Sequence, residues 1–214
     1  MANNPIEKLF SVDRPGYDVI CHESHNHYFT RGETIFINLR DTSETAIVIK
    51  GTVLIVNISS DGQKSILDIC RSGDAFGCGL FPYKGFDACC AVTKTDSEIS
   101  FINYEKLLLG CEGTCSGHSR LIDNILGGAA RRYVMHIEIL SRRTIREKLL
   151  NAFCFLLDTQ VHKEQKLPIS LSELADFLCC DRSAMMRELK HLNEDRIIAS
   201  RGSRITLIMD ITQF

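Results

Sequence analysis

A chain of 214 residues, 44% hydrophobic and 24% charged, has an ordinary globular composition and is long enough for one large domain or two modest ones. No apolar run approaches the ~20 residues of a membrane span, and MANNPIEKLF lacks the basic and apolar regions of a signal peptide, so the expected compartment is the cytoplasm. The net charge of −2 hides an asymmetry, since residues 1–140 hold 13 Lys+Arg against 17 Asp+Glu and residues 141–214 hold 12 against 10.

Ten cysteines in such a compartment are expected to be mostly buried apolar thiols rather than disulfides. The first cluster of potential ligands, Cys21-His22-Glu23-Ser24-His25-Asn26-His27, has the composition of a solvated loop. From Tyr28 to Phe101 the pattern is that of short strands: Thr34–Asn38, Ala46–Ile49, Val53–Asn57, Lys64–Ile69, Ala91–Thr93 and Glu98–Ile102. Glycine turns separate them at Arg31-Gly32, Lys50-Gly51, Asp61-Gly62 and Ser72-Gly73-Asp74, and Asp61-Gly62 between two apolar runs signals a hairpin. Strands at this spacing imply a compact antiparallel barrel or sandwich.

Next comes Cys111-Glu112-Gly113-Thr114-Cys115-Ser116-Gly117-His118. If helical, positions i, i+4 and i+7 bring Cys111, Cys115 and His118 to one face, which suits a soft metal or a redox pair. The alternative is structural cysteines at a barrel–helix junction. From His118 to Ser141 apolar or small residues recur at Ile122, Leu126, Ala129, Tyr133, His136 and Leu140, the heptad seam of a long helix that pairs with another. His136 on that seam is either a packing and hydrogen-bonding residue or a pH-sensitive contact.

Arg142-Arg143-Thr144 ends or bends this helix, and Thr144–Thr159 reads as another with Ile145, Leu149, Ala152, Phe153 and Leu156 on one face. A polar segment, Gln160–Lys166, leads into ISLSELADFLCCDRSAMMRELKHL over 169–192, two short amphipathic helices around a tight turn. Ser170 and Glu173 form a capping box for the first, and Asp181 caps the second. That is the shape of a helix-turn-helix, with Arg182, Ser183, Met186, Arg187 and Lys190 placed to face the major groove. Ile197–Leu207 reads as strand, glycine turn, strand, a wing with Arg201 and Arg204 at its tip within reach of phosphate.

The order of strand barrel, pairing helix and winged helix-turn-helix resembles the Crp/Fnr family of bacterial transcription regulators. The resemblance rests on Ile49-Lys50-Gly51, Ser72-Gly73-Asp74-Ala75-Phe76-Gly77, Leu174–Leu178, Asp181-Arg182-Ser183, Arg187-Glu188-Leu189 and the wing, and covers nearly the whole chain. The Cys-x3-Cys-x2-His segment is similar to that of Firmicute-type members. The resemblance implies an α+β protein with an effector-sensing β-roll (jelly roll) over 1–116, a dimerisation helix over 117–141 with Ile122, Leu126, Ala129, Tyr133 and Leu140 in its seam, and a winged helix-turn-helix over 142–214. It also implies a homodimer on a pseudo-palindromic promoter site and RNA polymerase as a partner.

In the family, residues matching Arg182 and Arg187 contact guanine, which suits bidentate arginine. Ser183 departs from the frequent Glu, so the usual half-site does not carry over. Cyclic-nucleotide-binding members place a Glu after Gly-Asp-x-x-Gly and an Arg on the phosphate; here Cys78 follows Gly77, and Asp87–Cys89 contains no Arg. Cyclic AMP is therefore not the expected effector, whose pocket the resemblance places at Phe76, Gly77, Cys78, Cys89 and Tyr133. The effector and any cofactor stay unassigned. A barrel with His25-x-His27 and Glu33 also suggests a cupin metalloenzyme, but the spacing is too long and the glycine misplaced, so no enzymatic activity is expected.

Overall fold

The structure is a computed structural model that describes residues 24–36, 42–80, 88–109 and 116–211. These fall into two compact units that divide inside one long helix, between Arg132 and Tyr133.

The first unit holds eight described strands in two antiparallel sheets. β1 (His25–Phe29), β8 (Ser97–Asn103), β3 (Glu44–Lys50) and β6 (Ala75–Gly77) form one, in that spatial order. β2 (Thr34–Phe36), β7 (Ala88–Thr93), β4 (Thr52–Ile58) and β5 (Lys64–Arg71) form the other. Register places His25, Phe101, Ala46 and Phe76 in one row across the first sheet. Phe36 of the second sheet meets Phe101 and Phe76 edge-on, at 5.8 and 6.0 Å between ring centroids, so this row faces the interior of the roll. The β4–β5 hairpin turns at Asp61-Gly62 as its sequence predicts, with Gly62 at φ 81° and Ser59 N–H donating to the Gln63 carbonyl.

β1 corrects the expectation of a solvated loop for its part of the histidine cluster; residues 21–23 lie outside the described residues. His25 and His27 alternate with polar neighbours, and the alternation that reads as loop composition is the period of an edge strand. His25 stacks on Phe101 and pairs with Glu44 at 3.4 Å.

Gly51 joins β3 to β4 at φ 101°, and a Cβ there would fall against Ser97 Oγ and 2.7 Å from the Asp96 carbonyl oxygen. Left-handed strain and this clash together are expected to make Gly51→Ala lose about 1–3 kcal/mol, read as a lowered urea midpoint. Wild-type stability in that variant would show that the turn has slack.

α1 (Tyr104–Leu109) follows β8, and α2 (Ser116–Ser141) runs from the first unit into the second. The second unit continues with α3 (Ile145–Leu156), β9 (Glu164–Lys166), α4 (Leu171–Phe177), α5 (Arg182–Glu194), β10 (Ile198–Arg201) and β11 (Arg204–Leu207). Thr144 and Glu147 form a capping box at the start of α3. The core gathers Phe153, Phe177, Leu174, Met185, Leu192 and Ile205, each essentially without exposure. β10, β11 and β9 make a three-stranded sheet, so the predicted wing has a third strand. Glu164-Gln165-Lys166 carries no apolar alternation because the strand is held by its ladder to Arg204–Thr206, not by burial.

Candidate nucleic-acid interface and effector region

α4 begins on the Ser170–Glu173 capping box, in which Ser170 N–H donates to Glu173 Oε2 at 2.7 Å and Glu173 N–H to Ser170 Oγ at 3.3 Å. It ends on Leu178, with Cys179 at φ 48° and Cys180 N–H returning to the Ala175 carbonyl at 3.1 Å. This is a Schellman closure with cysteine where glycine is usual. Asp181 then caps α5 by accepting the Ala184 N–H at 2.7 Å. The turn between the two helices is thus fixed by a backbone bond at one end and a side-chain cap at the other.

α5 buries Met185, Leu189 and Leu192 and leaves Arg182, Ser183, Met186, Arg187 and Lys190 exposed on the opposite side. Spacings of one, three, one and three residues keep these five on a single stripe. Lys190 pairs with Glu194 at 3.5 Å, whereas among the described residues no carboxylate pairs with Arg182 or Arg187. The flanking acids are engaged elsewhere: Glu188 and Asp195 both hold Arg146, at 3.2 and 2.5 Å. At the wing, Arg201 and Arg204 face each other across the turn, both exposed, and Arg204 donates to Glu164 Oε2 at 2.9 Å.

His136 lies in the second unit, 8% exposed, with its ring parallel to Phe177 at 3.9 Å. Its Nε2 is 2.8 Å from the Phe177 carbonyl, which can only accept, so Nε2 carries the proton. It is a packing and hydrogen-bonding residue of its own chain and leaves the seam.

One residue of the expected seam, Ala129, needs correction. Ala129 is 2% exposed, covered by its own chain, and the stripe Leu121, Ile125, Ala129, Arg132, His136, Ile139 is buried in the monomer. Of the predicted set, Leu126 is exposed at 43%, while Ile122, Tyr133 and Leu140 are half-buried. The strongly exposed apolar residues of α2 are Val134 and Ile137, at 63% and 66%. The heptad pattern blends two neighbouring stripes, one for the chain's own core and one left free, so its average falls between them.

In the first unit Phe76 and Gly77 are buried on β6, Cys89 is buried on β7, and Cys78 is half-buried. Phe76 packs on Phe36, and a Cβ on Gly77 would come 2.6 Å from the Glu44 carbonyl oxygen. Tyr133 belongs to the second unit. A cleft of about 350 Å³ opens instead beside Tyr28, Phe29, Lys50, Asp96 and Glu98. Cys111 and Cys115 lie outside the described residues, as does the side chain of His118. Core placement holds for Cys70 and Cys89, while Cys90, Cys154 and Cys180 are half-buried and Cys179 is exposed at its turn. Glu33, the third cupin candidate, accepts the Thr30 N–H in a local turn.

A heavily bonded buried cation in the first unit has no local signal of its own in the sequence. Arg132 of α2 is 8% exposed, and its Nε sits 3.1 Å from both oxygens of Asp68. Nη1 donates to Asp74 Oδ1 at 2.6 Å, and Nη2 donates to the Ala75 carbonyl at 2.8 Å with Cys70 Sγ at 3.9 Å. Burial opposes the Arg132 charge, yet the Asp68 and Asp74 carboxylates drive its ionisation further upward. Burial pushes the Asp68 carboxyl above the usual range against the pull of Arg132, and pushes the Cys70 thiol well above its own. A thiol so held is inert as a nucleophile. The available signal was an aspartate inside the apolar run Ile66-Leu67-Asp68-Ile69-Cys70, since charges in strands of that kind are buried only when paired.

Residues 26–112 match the family described as the cyclic nucleotide-binding domain. The chain is 26% identical over 192 residues to the nitrogen fixation regulation protein FixK of Azorhizobium caulinodans, covering 85% of this chain and 74% of that one. It is 26% identical over 200 residues to the cAMP-activated global transcriptional regulator Vfr of Pseudomonas aeruginosa, covering 89% and 92%. Its fold is similar to that of FixK2 from Bradyrhizobium japonicum, with TM-score 0.69, 22% identity and coverage of 86% and 92%. A transcriptional regulator of the CRP/FNR family from Thermus thermophilus superposes with TM-score 0.63 at 18% identity, covering 86% and 94%. A β-roll, a long connecting helix and a winged helix-turn-helix in that order give this chain a fold similar to that of Crp/Fnr-family structures, and its sequence is similar over most of its length to the regulators FixK and Vfr.

Proposed function

We propose that this protein is a homodimeric regulator that reads a pseudo-palindromic promoter site with α5 in the major groove. The observation that carries the reading is the exposed stripe Arg182, Ser183, Met186, Arg187, Lys190, with both arginines free of carboxylates among the described residues. Arg182 and Arg187 read base edges, Lys190 and Arg201 hold phosphate, and Arg204 reaches phosphate by releasing Glu164. No helix among the described residues is long and apolar enough to cross a membrane; the working compartment is the cytoplasm, with RNA polymerase as the partner on the promoter. Catalysis has no part in this function.

The test is selection of bound sequences from random DNA, followed by footprinting. Two protected half-sites about one helical turn apart are expected. Selection of no sequence over random DNA would refute the reading.

Dimerisation runs along the free stripe of α2 around Leu126, Val134 and Ile137. A carboxylate there would have to be desolvated on association. Ile137→Glu is therefore expected to raise the dimer dissociation constant at least about ten-fold, which is about 1.4 kcal/mol, as read by sedimentation. An unaltered dimer would move the interface elsewhere.

The effector is a species other than cyclic AMP, since Cys78 stands where a ribose-binding Glu belongs and Asp87 near the place of the phosphate Arg. Unchanged operator affinity on addition of cyclic AMP is the expected outcome, and tightening on its addition would reverse this assignment.

A further inference from the structure

Arg131 and Arg132 are neighbours in α2, yet Arg131 is exposed while Arg132 turns into the roll. What it meets there is also held by the backbone of the roll. Asp68 Oδ1 accepts the Ile69 N–H at 2.8 Å, Asp74 Oδ2 accepts the Arg71 N–H at 2.8 Å, and the Ala75 carbonyl is fixed by β6. Each carboxylate is thus oriented by a nearby backbone donor on the roll as well as by Arg132. The remaining acceptors converge on three different nitrogens of one planar group. A guanidinium satisfies such a set; an ammonium, with its charge at one point, does not.

The charges are matched, with Asp68 facing Arg132 and Asp74 lying in the fields of both Arg132 and Arg71. We propose that the β-roll contains a guanidinium-binding site built from Asp68, Asp74 and the Ala75 carbonyl, and that this chain fills it in cis with Arg132. The seating of α2 on the roll is thereby set by an internal ligand, with no small molecule needed at this point.

The test uses the full-length Arg132→Ala protein, in which the acceptors stay and the guanidinium is gone, with methylguanidinium as the probe. Its concentration is kept far below that which denatures, and sodium and methylammonium chloride at equal ionic strength serve as controls. At about ten times its dissociation constant, a ligand of the folded state raises the folded-to-unfolded ratio about ten-fold. The expected result is a methylguanidinium-dependent rise in the unfolding midpoint of Arg132→Ala, absent in the wild type and with either control salt. Equal responses of variant and wild type, or of the three salts, overturn the proposal. If Arg132→Ala yields no folded protein, Arg132→Lys decides: a lowered midpoint supports recognition of the planar fork, and a wild-type midpoint overturns it. The readout is unfolding without DNA, so failure here leaves the DNA-binding reading standing, and the converse holds too.

Discussion

Replacing Arg132 with methionine is expected to destabilise the first unit by about 3–5 kcal/mol, because it strands a buried carboxylate. Asp68 is 3% exposed in its side chain and loses both of its bonds to Nε, whereas Asp74, at 26%, can recover water. The change removes little apolar packing, since methionine keeps most of the aliphatic stem. The double variant Arg132→Met/Asp68→Leu removes the charge together with its partner and is expected to regain most of the loss. Urea unfolding of both variants, with a constant dependence on denaturant, checks the pair. A single-variant loss below about 1 kcal/mol, within the range of an exposed ion pair, would show that the network is solvated and the burial argument wrong.

Arg187→Ala is expected to cost about 1–3 kcal/mol in binding to the selected operator while leaving affinity for random DNA nearly unchanged. The side chain is exposed and no described carboxylate holds it, so the folded state should change by less than about 0.5 kcal/mol. That separates loss of readout from loss of fold. Arg182→Ala is expected to behave likewise at a different base pair, and the two losses should add within about 0.5 kcal/mol if they read separate bases. Competition binding at two salt concentrations checks both. A uniform loss on operator and random DNA, with the salt slope reduced by about one, would make Arg187 a phosphate contact.

These two expectations differ in how far the chain itself announces them. The exposed stripe of α5 could be read directly, because an amphipathic helix repeats every few residues and its caps are local. Ser170, Glu173 and Asp181 bond within three residues of themselves, so composition and spacing are enough. The glycine turns of the roll were legible for the same reason. Where a local pattern admits two readings, it misled. His25-Asn26-His27 has loop composition but strand period, and only the Phe101 neighbour on β8 settles which applies.

In α2 the apolar residues serve two surfaces at once, and nothing local separates Ala129, covered by its own chain, from Val134 and Ile137, which are free. β9 is held by a ladder to residues some forty positions away and has no pattern of its own. The clamp on Arg132 joins α2 to acceptors 57 to 64 positions earlier in the chain. The helix caps, the hairpin turns and the helix-turn-helix were therefore determined by sequence alone, through interactions within a few residues. The free face of α2, the edge strand and the buried guanidinium site were decided by tertiary structure, because burial and charge pairing depend on partners that chain order does not reveal.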